Sequence, residues 1–331
     1  MKFVTGGGMR IDFLITHEDE ARIEQIGGNA LYAAVGAALW AEEVFLWARL
    51  GANYPSRWLA QLAGSGINGN GLVRLPEEQD HRTFFAYLPD GRRDDTNPAA
   101  HFARIGQPLP PLLQDYIHST PGQDDPHRYE PLALRSADWP AEWTAVDAVH
   151  LSPLALATQL NLPPRLRNQG VRQITVDPGE RYMIPERRAY IRQMMPHIDA
   201  FLPSRMEISS LFGTGAGVQE TAVTLADWGA PLVVIKDGAN GVYFYAKDEG
   251  RLRHLPPYHD PDDRRVIDVT GAGDSFCGGF MVGLARTGDP LQAAQYGAVS
   301  ASLVIEGYGA LYALTRRGET IARLAEMEQK R

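Results

Sequence analysis

The stretch Asp268-Val269-Thr270-Gly271-Ala272-Gly273-Asp274-Ser275-Phe276 narrows the choice of folds more than any other part of this chain. Gly271 and Gly273 describe a tight turn. Phe276, Phe280 and Leu284 follow at i, i+4 and i+8, so the turn opens a helix, which Gly288 ends. A helix mouth carries backbone N–H groups without intrahelical partners and a partial positive charge. Phosphate binds well there. Asp274 stands at the same mouth, where a carboxylate repels phosphate unless a cation or a transferable proton lies between them. The pattern therefore predicts a base, Asp274, that takes a proton from a hydroxyl while the amides of Gly271, Ala272, Gly273 and Asp274 hold a phosphoryl group in transfer. Asp289-Pro290 predicts the N-cap and first residue of a second helix. Gly278 and Gly279 each cost a helix roughly 1 kcal/mol relative to alanine, which predicts close approach of another backbone or of a nucleotide.

Composition fits one large α/β domain with an appendage: 331 residues, 44% hydrophobic and 22% charged, enough for a sizeable core. The net charge of −8 argues against nucleic acid or an anionic membrane as the main partner. A single cysteine, Cys277, excludes an intrachain disulfide framework and points to a reducing cytoplasm, with packing rather than thiol chemistry as its role. No 18-residue apolar run and no signal-peptide core is present, so a cytoplasmic location is expected.

Short apolar runs alternate with helical patterns along the chain, the sign of a parallel sheet covered on both faces. Strands are expected at Lys2–Thr5, Val44–Ala48, Ala145–Leu151, Gln173–Asp177, Ala200–Leu202 and Leu232–Lys236. Two segments, 12–25 and 82–98, break the alternation and read as extended strands with polar turns, notably Pro89-Asp90-Gly91. Segment 107–143 is proline-rich and irregular, either a surface excursion or a cover for a site.

Asp268-x-Thr270-Gly271-Ala272-Gly273-Asp274, followed by Phe276 and Gly278-Gly279-Phe280, resembles the C-terminal signature of the ribokinase family, the phosphofructokinase-B-type carbohydrate kinases. Gly27-Gly28-Asn29-Ala30 is similar to that family's N-terminal Gly-Gly motif, and Gly6-Gly7-Gly8-Met9-Arg10-Ile11-Asp12 resembles its first strand, whose closing aspartate grips substrate hydroxyls. The likeness covers nearly the whole chain. It implies a ribokinase-like three-layer α/β/α sandwich with a mainly parallel central sheet. It also implies a small β-lid made by 12–25 and 82–98, a lid that in the family often carries a homodimer contact. ATP and Mg²⁺ are the implied cofactors, and K⁺ in several relatives acts near the loop that here holds Asp268.

On the nucleotide side, Leu232–Lys236 followed by Asp237-Gly238-Ala239-Asn240-Gly241 reads as a buried strand, a tight turn and a second strand. The family lines its ATP site with such a segment, which implies cofactor contacts for Thr270, Lys236, Gly238 and Gly241; a strand-end lysine in water is the plain alternative for Lys236. Ser204-Arg205-Met206-Glu207 occupies the place of the family's Asn-x-x-Glu, implying that Glu207 positions Mg²⁺ through water and that Ser204 lies by the nucleotide; a first-turn glutamate favouring the helix dipole accounts for Glu207 equally well. Asp177-Pro178-Gly179-Glu180-Arg181 is similar to Asp-Pro-Asn-x-Arg, with Arg181 either bridging phosphate and substrate or held in a structural ion pair.

On the acceptor side the substrate-binding candidates are Asp12, Gly27, Gly28 and Asn29, because carboxylate and amide groups pair with sugar hydroxyls and glycine admits a ring close to the backbone. Tyr32 and Asn53 depart from the family's usual asparagine and aspartate, and a tyrosine brings bulk and a stacking face. The expected reaction is in-line transfer of the ATP γ-phosphoryl group to a hydroxyl of a sugar-like molecule through a loose transition state. A nucleoside kinase on the same fold and a catalytically silent ligand-binding relative are the alternatives. A dinucleotide oxidoreductase built on Gly6-Gly7-Gly8 fails, because Ile11 stands where glycine or alanine is needed.

Overall fold

The computed structural model describes residues 1–88, 93–117 and 122–329. The strands, in chain order, are β1 (Phe3–Gly6), β2 (Arg10–Ile15), β3 (Ala21–Gly27), β4 (Val44–Leu50), β5 (Asn68–Arg74), β6 (Arg82–Tyr87), β7 (Arg93–Asp94), β8 (Ala148–Leu151), β9 (Gln173–Val176), β10 (Ala200–Phe201), β11 (Leu232–Lys236), β12 (Val242–Ala246) and β13 (Arg251–Leu255). The helices are α1 (Asn29–Ala38), α2 (Ser56–Gly64), α3 (Pro98–Arg104), α4 (Leu156–Asn168), α5 (Arg188–Met194), α6 (Arg205–Phe212), α7 (Val218–Asp227), α8 (Ala272–Thr287), α9 (Pro290–Val304) and α10 (Thr320–Gln329).

Nine strands form one sheet in the order β13-β12-β11-β10-β9-β8-β1-β4-β5, parallel throughout except where β12 pairs with β11 and β13. Val4 lies between Phe45 and Val149, so the chain's first strand is buried mid-sheet. Strand alternation divides the core. Phe3, Leu46, Leu202 and Val234 face α1, α8 and α9, whereas Val4, Trp47, Val149, Phe201 and Val233 face α4 to α7. The result is the expected three-layer α/β/α sandwich with a mainly parallel sheet. The strand expected at Ala145–Leu151 starts only at Ala148, because Ala145 takes a left-handed φ of 54° that an extended strand does not accommodate.

Small residues let helices touch. A Cβ on Gly36 of α1 would fall 2.0 Å from the Ser275 carbonyl oxygen, and one on Gly278 1.9 Å from that of Ala33. Gly278 thus serves a backbone approach between α1 and α8. Asp289 caps α9 by accepting the Leu291 N–H at 2.8 Å, and Gly288 ends α8 at φ 66°, both as the sequence predicts.

Beside the main sheet stands a four-stranded sheet, β3-β2-β6-β7. Segments 12–25 and 82–98 contribute to it, but the turn expected at Pro89-Asp90-Gly91 lies outside the described residues. Phe13, Ile15, Phe84 and Ala86 bury one face against Phe102 and Leu113. Side chains of opposite parity share the other face, which therefore carries Asp12, Thr83, Phe85 and Tyr87, with Arg93 paired directly across from Tyr87.

Among its described residues, segment 107–143 contains two short 3₁₀ turns, Pro111–Leu113 and Ser136–Asp138. Trp139 sets its ring edge-on to Trp47 at 5.1 Å, and Arg49 makes a two-point pair with Asp138 at 2.8 and 3.0 Å. Among the described residues no helix is long and apolar enough to cross a membrane.

Candidate active site

Gly271 adopts φ 73° and opens α8, so Asp274 occupies its first turn. Only glycine fits here on two counts: the left-handed φ, and the ring of Tyr32, whose Cδ1 lies 2.0 Å from where a Cβ would stand. The Ala272 N–H donates to the Val269 carbonyl at 3.2 Å, which directs it away from the mouth. Ala272 was expected among the anion-holding amides; the turn's own closing hydrogen bond takes that amide out of the set. The Gly273 and Asp274 amides remain at the helix N-terminus, where intrahelical acceptors are lacking. Part of the Asp274 side chain reaches solvent, yet enough protein surrounds the carboxyl to strip most of its hydration. Burial, reinforced by Asp177, pushes it up to about 7, while Lys236 and Arg93 pull the other way.

Lys236, at the end of β11, directs its ammonium to Asp177 at the end of β9, forming a buried ion pair. The Lys236 Nζ lies 3.7 Å from the position of a Gly273 Cβ, which sets this charge against the glycine turn. Burial opposes that charge, but Asp177 outweighs it and keeps the lysine protonated. Cys277 is fully buried, with its thiol 3.5 Å from both Lys236 Nζ and Asp177 Oδ2. The other carboxylate oxygen of Asp177 is buried without a hydrogen-bond partner among the described residues.

Ser204 and Glu207 close a capping box on α6: the Ser204 N–H donates to Glu207 Oε2 at 2.6 Å, and the Glu207 N–H to Ser204 Oγ at 3.2 Å. Both thus have a structural task at the helix start. Burial, with Asp177 nearby, raises the Glu207 carboxyl. Gly238 and Gly241 bracket a 3₁₀ turn between β11 and β12; they line a largely apolar cavity of about 300 Å³ together with Lys236, Ala272, Gly273 and Phe276.

The acceptor candidates divide. Asp12 was expected to close the first strand, but β1 ends at Gly6 and Asp12 belongs to β2 in the second sheet. The chain leaves the main sheet at Gly7-Gly8, where Gly7 yields space to the Asn29 amide oxygen and the Gly8 N–H donates to it at 2.8 Å. Asp12 is nevertheless directed at the cleft. Its carboxylate fills the space a Cβ on Gly27 would need, and burial pushes it up to about 7. Gly28 holds φ 104° at the start of α1. Asn29 uses both ends of its amide within the chain, its Nδ2 donating to the Pro153 carbonyl at 2.7 Å. Tyr32 is 5% exposed and packs beneath Gly271, so its ring is a floor for the turn and not an open stacking face. Asn53 clamps the Gln79 backbone at 3.0 and 3.1 Å. Arg181 is exposed on a 3₁₀ turn.

Phe85, Tyr87 and Arg93, on the second sheet's cleft face, had no motif to reveal them. Tyr87 meets Thr270 with 3.0 Å between hydroxyl oxygens. Arg93 holds its guanidinium 5.8 Å from the Phe85 ring centre and lies close enough to Asp12 and Asp274 to lower both carboxyls. Alternation between Phe84 and Phe85 was the one available signal. His81, also unanticipated, bridges Met9 and Gly51: its Nδ1 donates to the Met9 carbonyl at 3.0 Å and its Nε2 accepts the Gly51 N–H at 2.9 Å.

A turn carrying a half-buried aspartate, a lysine beside it and an apolar cavity alongside form one continuous site. Residues 165–316 match the pfkB family carbohydrate kinases. The chain is similar to the cytidine kinase of Thermococcus kodakarensis, at 29% identity over 295 residues covering 88% of this chain and 91% of that protein. In fold it matches Burkholderia thailandensis nucleoside kinase in complex with inosine, at TM-score 0.70, 16% identity and 99% and 98% coverage. It likewise matches Arabidopsis thaliana ribokinase complexed with ribose and ATP, at TM-score 0.66, 16% identity and 98% coverage of each chain. The matched segment and the kinases to which the chain is similar support a phosphotransferase of the carbohydrate kinase type.

Proposed function

We propose that this chain transfers the γ-phosphoryl group of ATP to a hydroxyl of a sugar or sugar-like molecule bound between the glycine turn and the second sheet. The observation that carries the reading is Asp274 beside the turn's free amides, with its carboxyl raised to about 7 by burial. A base with that affinity for protons is suited to accept one from an alcohol near neutral pH. The amides of Gly273 and Asp274 stabilise charge on the transferring group, and Lys236 adds a cation beside them. The apolar cavity next to the turn suits the adenine and ribose of ATP.

Mg²⁺ fits the carboxylates present, because the partnerless oxygen of Asp177 and the neighbouring Glu207 offer the one or two oxygen ligands this ion takes when phosphate and water supply the rest. When bound, it neutralises β- and γ-phosphate oxygens.

Asp12 grips acceptor hydroxyls from the second sheet. Burial is the main cause that raises both Asp12 and Asp274, with Arg10 lowering the first and Lys236 and Arg93 the second. A nucleoside is the second reading. Phe85 and Tyr87 on the cleft face give a base apolar contacts, and the cytidine kinase likeness extends over most of both chains. Phosphate transfer from radiolabelled ATP to a panel of sugars, polyols and nucleosides separates the two readings. Asp274→Asn should lower kcat by about 10³-fold with ATP affinity kept; turnover within tenfold of wild type would remove Asp274 from the base role.

A further inference from the structure

We propose that Tyr87 is a positioning residue that ties the second sheet to the anion-holding turn through Thr270 and Asp268. The proposal rests on the kinase reading of that turn.

The hydrogen bonds fix their own direction. The Thr270 hydroxyl lies 2.6 Å from Asp268 Oδ1, and the Thr270 N–H donates to the same oxygen at 3.0 Å. A carboxylate only accepts, so the Thr270 proton belongs to Asp268. The 3.0 Å contact with Tyr87 must then be a donation from the tyrosine hydroxyl to Thr270 Oγ1. Burial pushes the Tyr87 hydroxyl up to about 12, so it keeps the proton it donates. Asp268 and Thr270 are 4% and 9% exposed, where water competes poorly for these groups.

Position gives the chain its meaning. Thr270 directly precedes Gly271, whose left-handed φ sets the direction of the following amides. Tyr87 ends β6 on the face shared with Asp12, the residue assigned to acceptor hydroxyls. A molecule that draws Asp12 and its sheet toward the turn therefore acts, through Tyr87, on the residue that orients the amides. Acceptor binding and phosphoryl alignment share one hydrogen-bonded path, running between residues 183 positions apart in sequence.

Hydrogen–deuterium exchange of the unliganded protein tests the tie without knowledge of the acceptor. In Tyr87→Phe, which keeps the ring, and in Thr270→Val, which keeps the shape, amides 270–274 should exchange roughly three- to tenfold faster, the factor one hydrogen bond commands. The double variant should exchange no faster than Thr270→Val alone, because that variant already lacks the bond Tyr87→Phe removes. In the radiolabelled-ATP assay, Tyr87→Phe should lower kcat by a similar factor with KM for ATP unchanged, a split that a loss of packing alone does not give. Unchanged exchange at 270–274, or a fully additive double variant, overturns the proposal. Faster exchange in a wild-type background that transfers no phosphate to any acceptor overturns the kinase reading and the positioning role with it, leaving the hydrogen-bonded tie as a purely structural feature.

Discussion

The ring of Tyr32 occupies the volume a side chain on Gly271 would need, with Cδ1 2.0 Å from the ideal Cβ position. The helix start that holds the candidate base is therefore packed from below by the first helix of the chain. Gly271→Ala must move an aromatic ring and also adopt a left-handed φ. We expect about 2–4 kcal/mol of destabilisation, from overpacking and backbone strain together, measurable by denaturant unfolding. Tyr32→Ala in the same background should recover part of it.

Lys236 and Asp177 form a buried pair whose side chains are 13% and 4% exposed. Removing one partner strands a charge in the interior. Lys236→Met is expected to destabilise the protein by about 3 kcal/mol, and Lys236→Met with Asp177→Leu by less than Lys236→Met alone. Urea unfolding of the three proteins decides this; a double variant less stable than the single one would contradict the account. The single variant should also weaken ATP binding, read by titration with a non-hydrolysable analogue.

The base should be active once ionised, and its carboxyl stands at about 7. We expect kcat/KM to rise about tenfold per pH unit below that value and to level off above it. Besides burial, the groups acting on Asp274 are Asp177 and Asp12, which raise it, and Lys236 and Arg93, which lower it. Arg93→Ala should therefore move the inflection to higher pH, and Asp12→Asn to lower pH. A profile that does not move with Arg93→Ala would exclude this arginine from the electrostatics of the base.

Stability should respond in the opposite sense. Asp274 binds its proton more tightly when folded than when unfolded, so between about 4 and 7 the native state holds more protons and stability falls as pH rises. Asp274→Asn mimics the protonated form at all pH values. Its Tm should exceed that of wild type at pH 8, and the gap should shrink steadily as pH falls toward 4. A gap independent of pH would mean that the carboxyl is not titrating in that window.

Much of the nucleotide side was legible in the residues themselves. The glycine turn, the helix after it, the stop at Gly288 and the cap at Asp289 are local features, encoded within a few positions by backbone freedom and capping chemistry. The strand Leu232–Lys236 was readable because a continuous apolar run ends in a charge. The acceptor side was less legible. Asn29 and Asn53 carry the right chemistry for sugar hydroxyls, but the fold uses their amides to hold loops, and Asp12 serves a different strand from the one expected.

The sequence alone determined where a helix mouth would present amides beside a carboxylate, because that conformation depends on residues adjacent in the chain. Tertiary structure alone decided that Lys236 meets Asp177, that Tyr32 lies beneath Gly271 and that Tyr87 reaches Thr270. Those pairs are separated by 59 or more positions. They become neighbours only through strand order and helix crossings, which no local pattern of residues specifies.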